Sequence, residues 1–472
     1  MKQNNNNFND FDEEDRQLVL DFENTVMQGG MQFFDVDELE VIIDYYFEVN
    51  DMKPLEKAVE YAEQLYPDSS TIRLRRAHLL IAQQQYDAAL DIIQQLRRQE
   101  PDNTDVAYSL GVAYSAVGES RKAIKYFLEA ADDGWMLGRV YSNIAEEYYN
   151  LRDFDEAIRY YHLAMDTDSY DAATIYNYLD TCLQAQRAEG AIEYLKSFVG
   201  EHPYSCEAWH CLGTAYLSLG LSEQAIDAYE YALAIDKRNM QVNIDLAAAQ
   251  ESIGAVGNAV TTLLRAIDYA DNKAALYRMV AFIYMRANNS DMAIIYFRKA
   301  IEEDAEDAES YAALAVVYAV IDDFSNAIPN IKKALRLAPE NPDVLCSAGV
   351  IYDTMGNLEA AEDYYERMVD CETCSEEQCQ HYVQFLYNAK NFETLIDFAV
   401  ESLEIYPQHP FYSTYLVAAS FYTNRYNRAS RSLPYVSPSL LHEICPEIFS
   451  HPRLAPLIPD DHSLNEDNNL TL

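Results

Sequence analysis

Shifting the sequence against itself by 34 residues aligns small side chains without a gap from about residue 36 to residue 443. One column reads Leu55, Ala89, Ala123, Ala157, Ala191, Ala225, Ala259, Ala293, Ala327, Ala361, Leu395 and Ala429. Ten alanines in twelve places at a fixed interval do not arise from composition. A strict period of this length points to copies of one small unit stacked in series. A second column, twelve residues upstream, holds Ala77, Gly111, Ala145, Gly213, Ala247, Ala281, Ala315 and Gly349, with the larger Ile43, Leu179, Val383 and Val417 as exceptions.

Both columns lie in stretches of helical period, such as Trp209, Leu212, Gly213 and Tyr216, followed by Ala225, Ile226, Tyr229 and Ala232. Each unit is therefore expected to be two helices, with the small columns marking where their backbones approach. A large side chain at such a crossing costs ~1–3 kcal/mol by overpacking. Between the two helices a further column carries Asn50, Gly118, Gly220, Gly254, Asn288, Gly356 and Asn424, residue types that tolerate the left-handed conformation ending a helix. After the second helix come Pro67, Pro101, Pro203, Pro339 and Pro407, which cannot continue one. Ser222, Ser290 and Ser325 are expected to cap second helices. Seven tyrosines (46, 114, 148, 216, 284, 318 and 352) form another column, read as packing between helices.

These residues resemble the tetratricopeptide repeat family, and the unit from Cys206 to Asn239 shows the pattern best, with Trp209, Leu212, Gly213, Tyr216, Ala225, Tyr229 and Ala232. The resemblance covers about nine tenths of the chain. It implies an all-α fold, a right-handed superhelical α-solenoid of antiparallel helix pairs, with partner segments held in the concave groove lined by the first helices. Twelve units are expected over residues 36–443, the last shortened by Pro434. The unit from Ala172 to Ser205 departs from the pattern at Leu179, Cys182 and Phe198, as do the last two units. Residues 1–10 are polar and Asn-rich and are expected to be disordered; 11–35 supply a capping helix, through Val19, Phe22 and Val26, and a linker. Residues 444–472 are read as a Pro-rich cap and an acidic disordered tail, because a terminal repeat otherwise shows its apolar side to water.

Charge narrows the partner. With 34 Lys and Arg against 78 Asp and Glu the formal net charge is −44, which disfavours nucleic acid and anionic membrane surfaces and favours a protein or peptide of basic or mixed polar character. The N-terminus has no apolar stretch after its single Lys, and the longest apolar run, 311–321, is far short of the ~20 residues a bilayer needs, so a cytoplasmic protein is expected. No phosphate loop, metalloprotease or hydrolase motif or Ca²⁺ loop is present, so the chain is expected to be neither an enzyme nor a cofactor protein.

One segment invites a chemical reading. Residues 371–381, CETCSEEQCQH, place Cys371, Cys374, Cys379 and His381 within eleven residues, the first two spaced as in a zinc knuckle. Against a metal, Cys379 falls in the column of Trp209 and Tyr311, a core position, and C-x2-C recurs by accident. Core packing is therefore the expectation for this segment, with no metal ligated and zinc as the alternative.

Groove residues follow from helical phase. In the first unit Asp37, Glu40, Asp44 and Glu48 share one face opposite Leu39, Ile42, Ile43 and Tyr46. Residues 1–65 hold 17 acids and 4 bases, so this stripe either steers a basic segment or is a solvated face partly neutralised by Arg75 and His78. Asn143 and Asn177, equivalent residues of successive first helices with Tyr149 and Tyr176 nearby, suit an extended peptide backbone. Met279, Phe282 and Met285, with Val316 and Val320, form an apolar patch flanked by Arg278 and Arg286. Besides a scaffold that holds such a segment, the pattern also suits an accessory or chaperone-like regulatory subunit of a larger enzyme or secretion assembly.

Overall fold

The computed structural model describes residues 13–131, 134, 136–167 and 171–459; the expectations for residues 1–10 and for the last thirteen residues of the tail lie outside them. Among the described residues there are twenty-six α-helices and no strand. The chain divides into two compact units, Met1–Lys237 and Arg238–Leu472. The first holds α1 (Glu13–Thr25) and then six helix pairs, from α2 (Val36–Glu48) and α3 (Met52–Leu65) to α12 (Cys206–Ser218) and α13 (Ser222–Ile235). The second also holds six pairs, from α14 (Met240–Ser252) and α15 (Val256–Ala266) to α24 (Pro410–Tyr422) and α25 (Tyr426–Ser432), followed by α26 (Pro438–Ile444).

The small columns are the seams of these pairs. All twelve residues from Leu55 to Ala429 in the alanine column are 0% exposed. Gly111, Gly213 and Gly349 each lie under an aromatic ring of the following helix: a Cβ added there would come within 2.5 Å of Phe127, 2.5 Å of Tyr229 and 2.8 Å of Tyr365. The tyrosine column packs likewise. Tyr114, Tyr148, Tyr284 and Tyr352 stack nearly parallel on Tyr126, Tyr160, Tyr296 and Tyr364 of their own pairs, with ring centroids 5.3–5.6 Å apart. Lys122, Arg159, Lys299 and Arg367 cover these stacks with their cations.

The turn within each pair is more regular than its residues. Asn50, Gln84, Gly118, Arg152, Gln186, Gly220, Gly254, Asn288, Asp322, Gly356, Lys390 and Asn424 all have φ between 51° and 76°. The amide after each reaches the carbonyl five residues back, as in Glu119 N–H to Tyr114 O (2.9 Å) and Asp323 N–H to Tyr318 O (2.8 Å), the geometry that closes a helix with a left-handed residue. Because the residue after the left-handed one is already the N-cap of the second helix, the caps fall earlier than expected. Leu221, Asn289 and Asp323 are the N-caps, and Ser222 and Ser290 open their helices rather than cap them. Ser325 instead donates its hydroxyl to the Asp323 carboxylate at 2.6 Å.

At the ends, Phe22 of α1 packs its ring against Phe34, Tyr46 and Tyr61. After α25, Leu433, Leu441, Cys445, Ile448 and Leu454 are buried with Val417 and Ala418 of α24. The Tyr387 hydroxyl donates to the Ile444 carbonyl.

Candidate functional site

A cleft of about 240 Å³ opens among α8 (Leu137–Asn150), α9 (Phe154–Met165) and α10 (Ala172–Gln184). It is lined by Glu146, Tyr149, Asn150, Tyr161, Asn177, Asp180 and Thr181. Spacings of three and four residues put 146, 149 and 150 on one face of α8 and 177, 180 and 181 on one face of α10. The start of α10 is fixed by Asp171, whose carboxylate accepts from the Thr174 amide at 2.9 Å.

Its polar groups are partly engaged. Asn177 donates from Nδ2 to Glu146 Oε1 at 3.0 Å, and the Thr181 hydroxyl donates to the Asn177 carbonyl at 2.7 Å. The Tyr149 phenol donates to Asp180, which holds its pKa above the ordinary phenol value. Tyr161 is 1% exposed, and burial, reinforced by the Glu146 charge, raises its pKa. Burial also raises the Glu146 carboxyl, with Asp171 and Glu147 adding to the effect and the Asn177 hydrogen bond opposing it. No basic side chain lines the cleft, and neither Glu146 nor Asp180 has an ion pair among the described residues. Beside Glu146, Glu147 is 2% exposed and its Oε2 has no hydrogen-bond partner among the described residues, although Ala113 and Ala215 fill the same repeat position as core.

Of the residues singled out from the sequence, Tyr149 and Asn177 meet in this cleft; Asn143 and Tyr176 do not line it. Asn143 instead donates from Nδ2 to the Tyr108 hydroxyl at 3.0 Å, and the Tyr176 hydroxyl lies 3.3 Å from His210 Nδ1. Glu146, Tyr161 and Asp180 were not singled out. Their signal was available: Asp44, Glu146 and Asp180 stand at multiples of 34 residues from one another.

The stripe on α2 is arranged differently. Arg75 of α4 (Ser70–Ala82) bridges Glu40 and Asp44 through Nη2, at 2.8 Å from Asp44 Oδ2, while Asp37 and Glu48 are exposed. Burial pushes the Asp44 carboxyl up to about 6, Arg75 opposing and Glu40 and Glu48 reinforcing. His78 does not share in the neutralisation. Burial, with the charges of Arg75 and Arg139, lowers its pKa to about 4, and its Nε2 is 2.8 Å from Ser109 Oγ.

In the second unit, Met279, Phe282 and Met285 of α16 (Lys273–Arg286) are half-buried against the core, Phe282 meeting Phe297 edge-on at 5.2 Å. Val320, at the end of α18 (Ala308–Val320), is 69% exposed. The flanking cations are engaged within the unit. Arg278 pairs with Asp307 (2.7 Å), the N-cap of α18, and with Glu309 (3.0 Å), and Arg286 grips Glu251 through two hydrogen bonds.

The cysteine segment resolves into separate environments. The Cys371 thiol donates to the carbonyls of Glu340 and Arg367, both at 3.3 Å, His381 is exposed, and Cys374 and Cys379 lie side by side with sulfurs 3.6 Å apart. Among the described residues no three Cys, His, Asp or Glu side chains are placed to hold a metal ion, and no helix is long and apolar enough to cross a membrane.

Tetratricopeptide repeat models match residues 55–112, 143–205, 206–239, 274–307 and 313–373, together just over half of the chain. The chain belongs to the tetratricopeptide repeat family. Among similar proteins, the TPR repeat-containing protein YpiA of Bacillus subtilis (strain 168) is 22% identical over 358 residues, 68% of this chain and 84% of that protein. Superkiller complex protein 3 of Mus musculus is 23% identical over 239 residues, 48% of this chain but 15% of that protein. A crystal structure of the APC/C hetero-tetramer Cut9–Hcn1 aligns over 86% of this chain and 94% of its own at 16% identity, with a TM-score of 0.36. As a tetratricopeptide repeat protein the chain is a protein–protein interaction scaffold.

Proposed function

We propose that this tetratricopeptide repeat protein is a non-catalytic cytoplasmic scaffold that holds a segment of a partner protein along the face lined by its first helices, and that the α8–α10 cleft is its anchor point for a basic residue of that segment. The observation that supports this reading is the pair Glu146 and Asp180: two carboxylates in one cleft, without an ion pair among the described residues, flanked by the aromatic walls of Tyr149 and Tyr161. A guanidinium or ammonium group entering there gains charge-assisted hydrogen bonds and aromatic contact together. Asn177 beside them offers an amide to the partner backbone. The net charge of −44 draws basic segments toward the whole surface, and its contribution weakens as salt shortens the screening length.

A photo-crosslinker placed at Tyr149 in the native cell tests the reading. Crosslinked peptides rich in Lys and Arg, lost when Glu146→Gln and Asp180→Asn are combined, support it; crosslinks indifferent to that double change contradict it. A second reading, an accessory subunit of a larger assembly, draws on the similarity to a protein named for the Superkiller complex. It predicts a stoichiometric complex that survives size exclusion, whereas a peptide holder exchanges rapidly.

A further inference from the structure

The sequence around α22 (Glu376–Asn388) spells CSEEQC from Cys374 to Cys379, and each letter has a place at the helix start. Ser375 is the N-cap, its hydroxyl accepting from the Gln378 amide, while the Gln378 side chain accepts from the Ser375 amide at 2.8 Å. This reciprocal box fixes the chain entering the helix. Cys374 is thereby the residue before the cap and Cys379 the fourth residue of the helix, the two positions whose side chains pack together when a helix start is stapled by apolar contact. In α2 those positions are held by Phe34 and Leu39, both buried. In α22 they hold two half-buried thiols with sulfurs 3.6 Å apart.

We propose that Cys374 and Cys379 are a dithiol that a low-molecular-weight disulfide converts to an intrachain disulfide, replacing the contact at the start of α22 with a covalent bond. In the first step a protein thiolate attacks one sulfur of the small disulfide, forming a mixed disulfide and releasing one small thiolate. In the second the other protein thiolate attacks the mixed disulfide and displaces the second small thiolate. The two cysteines lose two protons and two electrons, and the small disulfide is reduced to two thiols. Closure shortens the sulfur separation to about 2.05 Å, a movement of roughly 1.5 Å. The capping box already holds the two side chains on one side of the turn.

The surroundings set the rate. Burial, together with the neighbouring Cys379, pushes the Cys374 thiol up to about 12, and burial raises Cys379 as well. The attacking thiolate is scarce near neutrality, so closure is slow there and accelerates about tenfold per pH unit over the range below that value. The same burial carries no penalty for the uncharged disulfide. Cys371 stands apart, its thiol directed at the Glu340 and Arg367 carbonyls, so the motif that reacts is C-x4-C and not C-x2-C.

The full chain incubated with oxidised glutathione, alkylated under denaturing conditions and mapped by mass spectrometry tests this. The expected result is a loss of two of the eight thiols, with the Cys374–Cys379 peptide two hydrogens lighter and free of glutathione. Cys371→Ser leaves that loss unchanged, and Cys374→Ser leaves Cys379 as a thiol or a glutathione adduct. A persistent adduct on Cys374 or Cys379 of the unaltered chain, a bridge to Cys371 or Cys346, or eight remaining thiols after prolonged incubation at pH 9 would overturn the proposal.

Discussion

Asp44 and the pair Glu146 and Asp180 occupy one position of the repeat, yet their surroundings differ. Asp44 shares Arg75 with Glu40, so the second helix pair neutralises part of the stripe on the first. Glu146 and Asp180 have an asparagine and a phenol for neighbours and no ion pair among the described residues. Further along the same column stand Phe282 and Val316, where the nearby Arg278 and Arg286 are paired within their own unit. An acidic side chain on a first helix is therefore not by itself a binding residue. What distinguishes the cleft is carboxylate charge without an ion-pair partner among the described residues.

Substitutions that remove a carboxylate or its cation separate the two situations. Removing the cleft charges with Glu146→Gln and Asp180→Asn should weaken partner binding about 10- to 100-fold, ~1.4–2.8 kcal/mol, in a binding titration, with the chain no less stable to urea. Glu147→Ala should raise stability by about 1–3 kcal/mol in the same urea melts, because it removes a buried carboxyl oxygen that has no partner among the described residues, from a position that alanine fills elsewhere. Arg75→Met should do the reverse, destabilising by about 1 kcal/mol and no more, since both of its carboxylates are about a third or more exposed.

His78 adds a dependence on pH. Its folded pKa of about 4 lies below the ordinary 6.5, so the unfolded chain takes up a proton first and stability falls as pH drops through the window from 6.5 to 4. Asp44, raised to about 6, acts in the opposite sense and gains stability as it protonates below that value. A urea-midpoint series from pH 7 to 5 on His78→Gln should lose the acid-side decline that the unaltered chain shows. The smallest effect belongs to Gln186→Gly, which should gain about 0.5 kcal/mol by relieving a left-handed φ of 57° at a non-glycine residue.

The fold was legible because its period is steric. Gly213 must be small under Tyr229, and each alanine of the long column must be small at a helix crossing, so the residues report the contact directly. The left-handed turns were legible only where Gly or Asn stands. Gln84, Arg152, Gln186, Asp322 and Lys390 adopt the same φ because the paired helices impose it, and no local preference announces that. Ser222, Ser290 and Ser325 misled for a related reason: a good cap residue one or two positions late cannot cap when the preceding turn has already set the register. The division after Lys237 has no mark in the alanine column, which runs through it unbroken.

Candidate site residues were less legible than the fold because exposure and phase do not report partners. Asn143 and Asn177 read alike in the sequence, but one donates to Tyr108 and the other lines the cleft. Arg278 reads as a free groove cation until Asp307 is seen at 2.7 Å.

Whether the cleft selects basic segments can be measured by panning a random peptide display library on the full chain, in parallel with the Glu146→Gln, Asp180→Asn double variant. Strong enrichment of peptides carrying Arg or Lys is expected, reduced by added salt and lost on the variant. Enrichment of apolar or acidic peptides, or of basic peptides that the variant retains equally well, would contradict it.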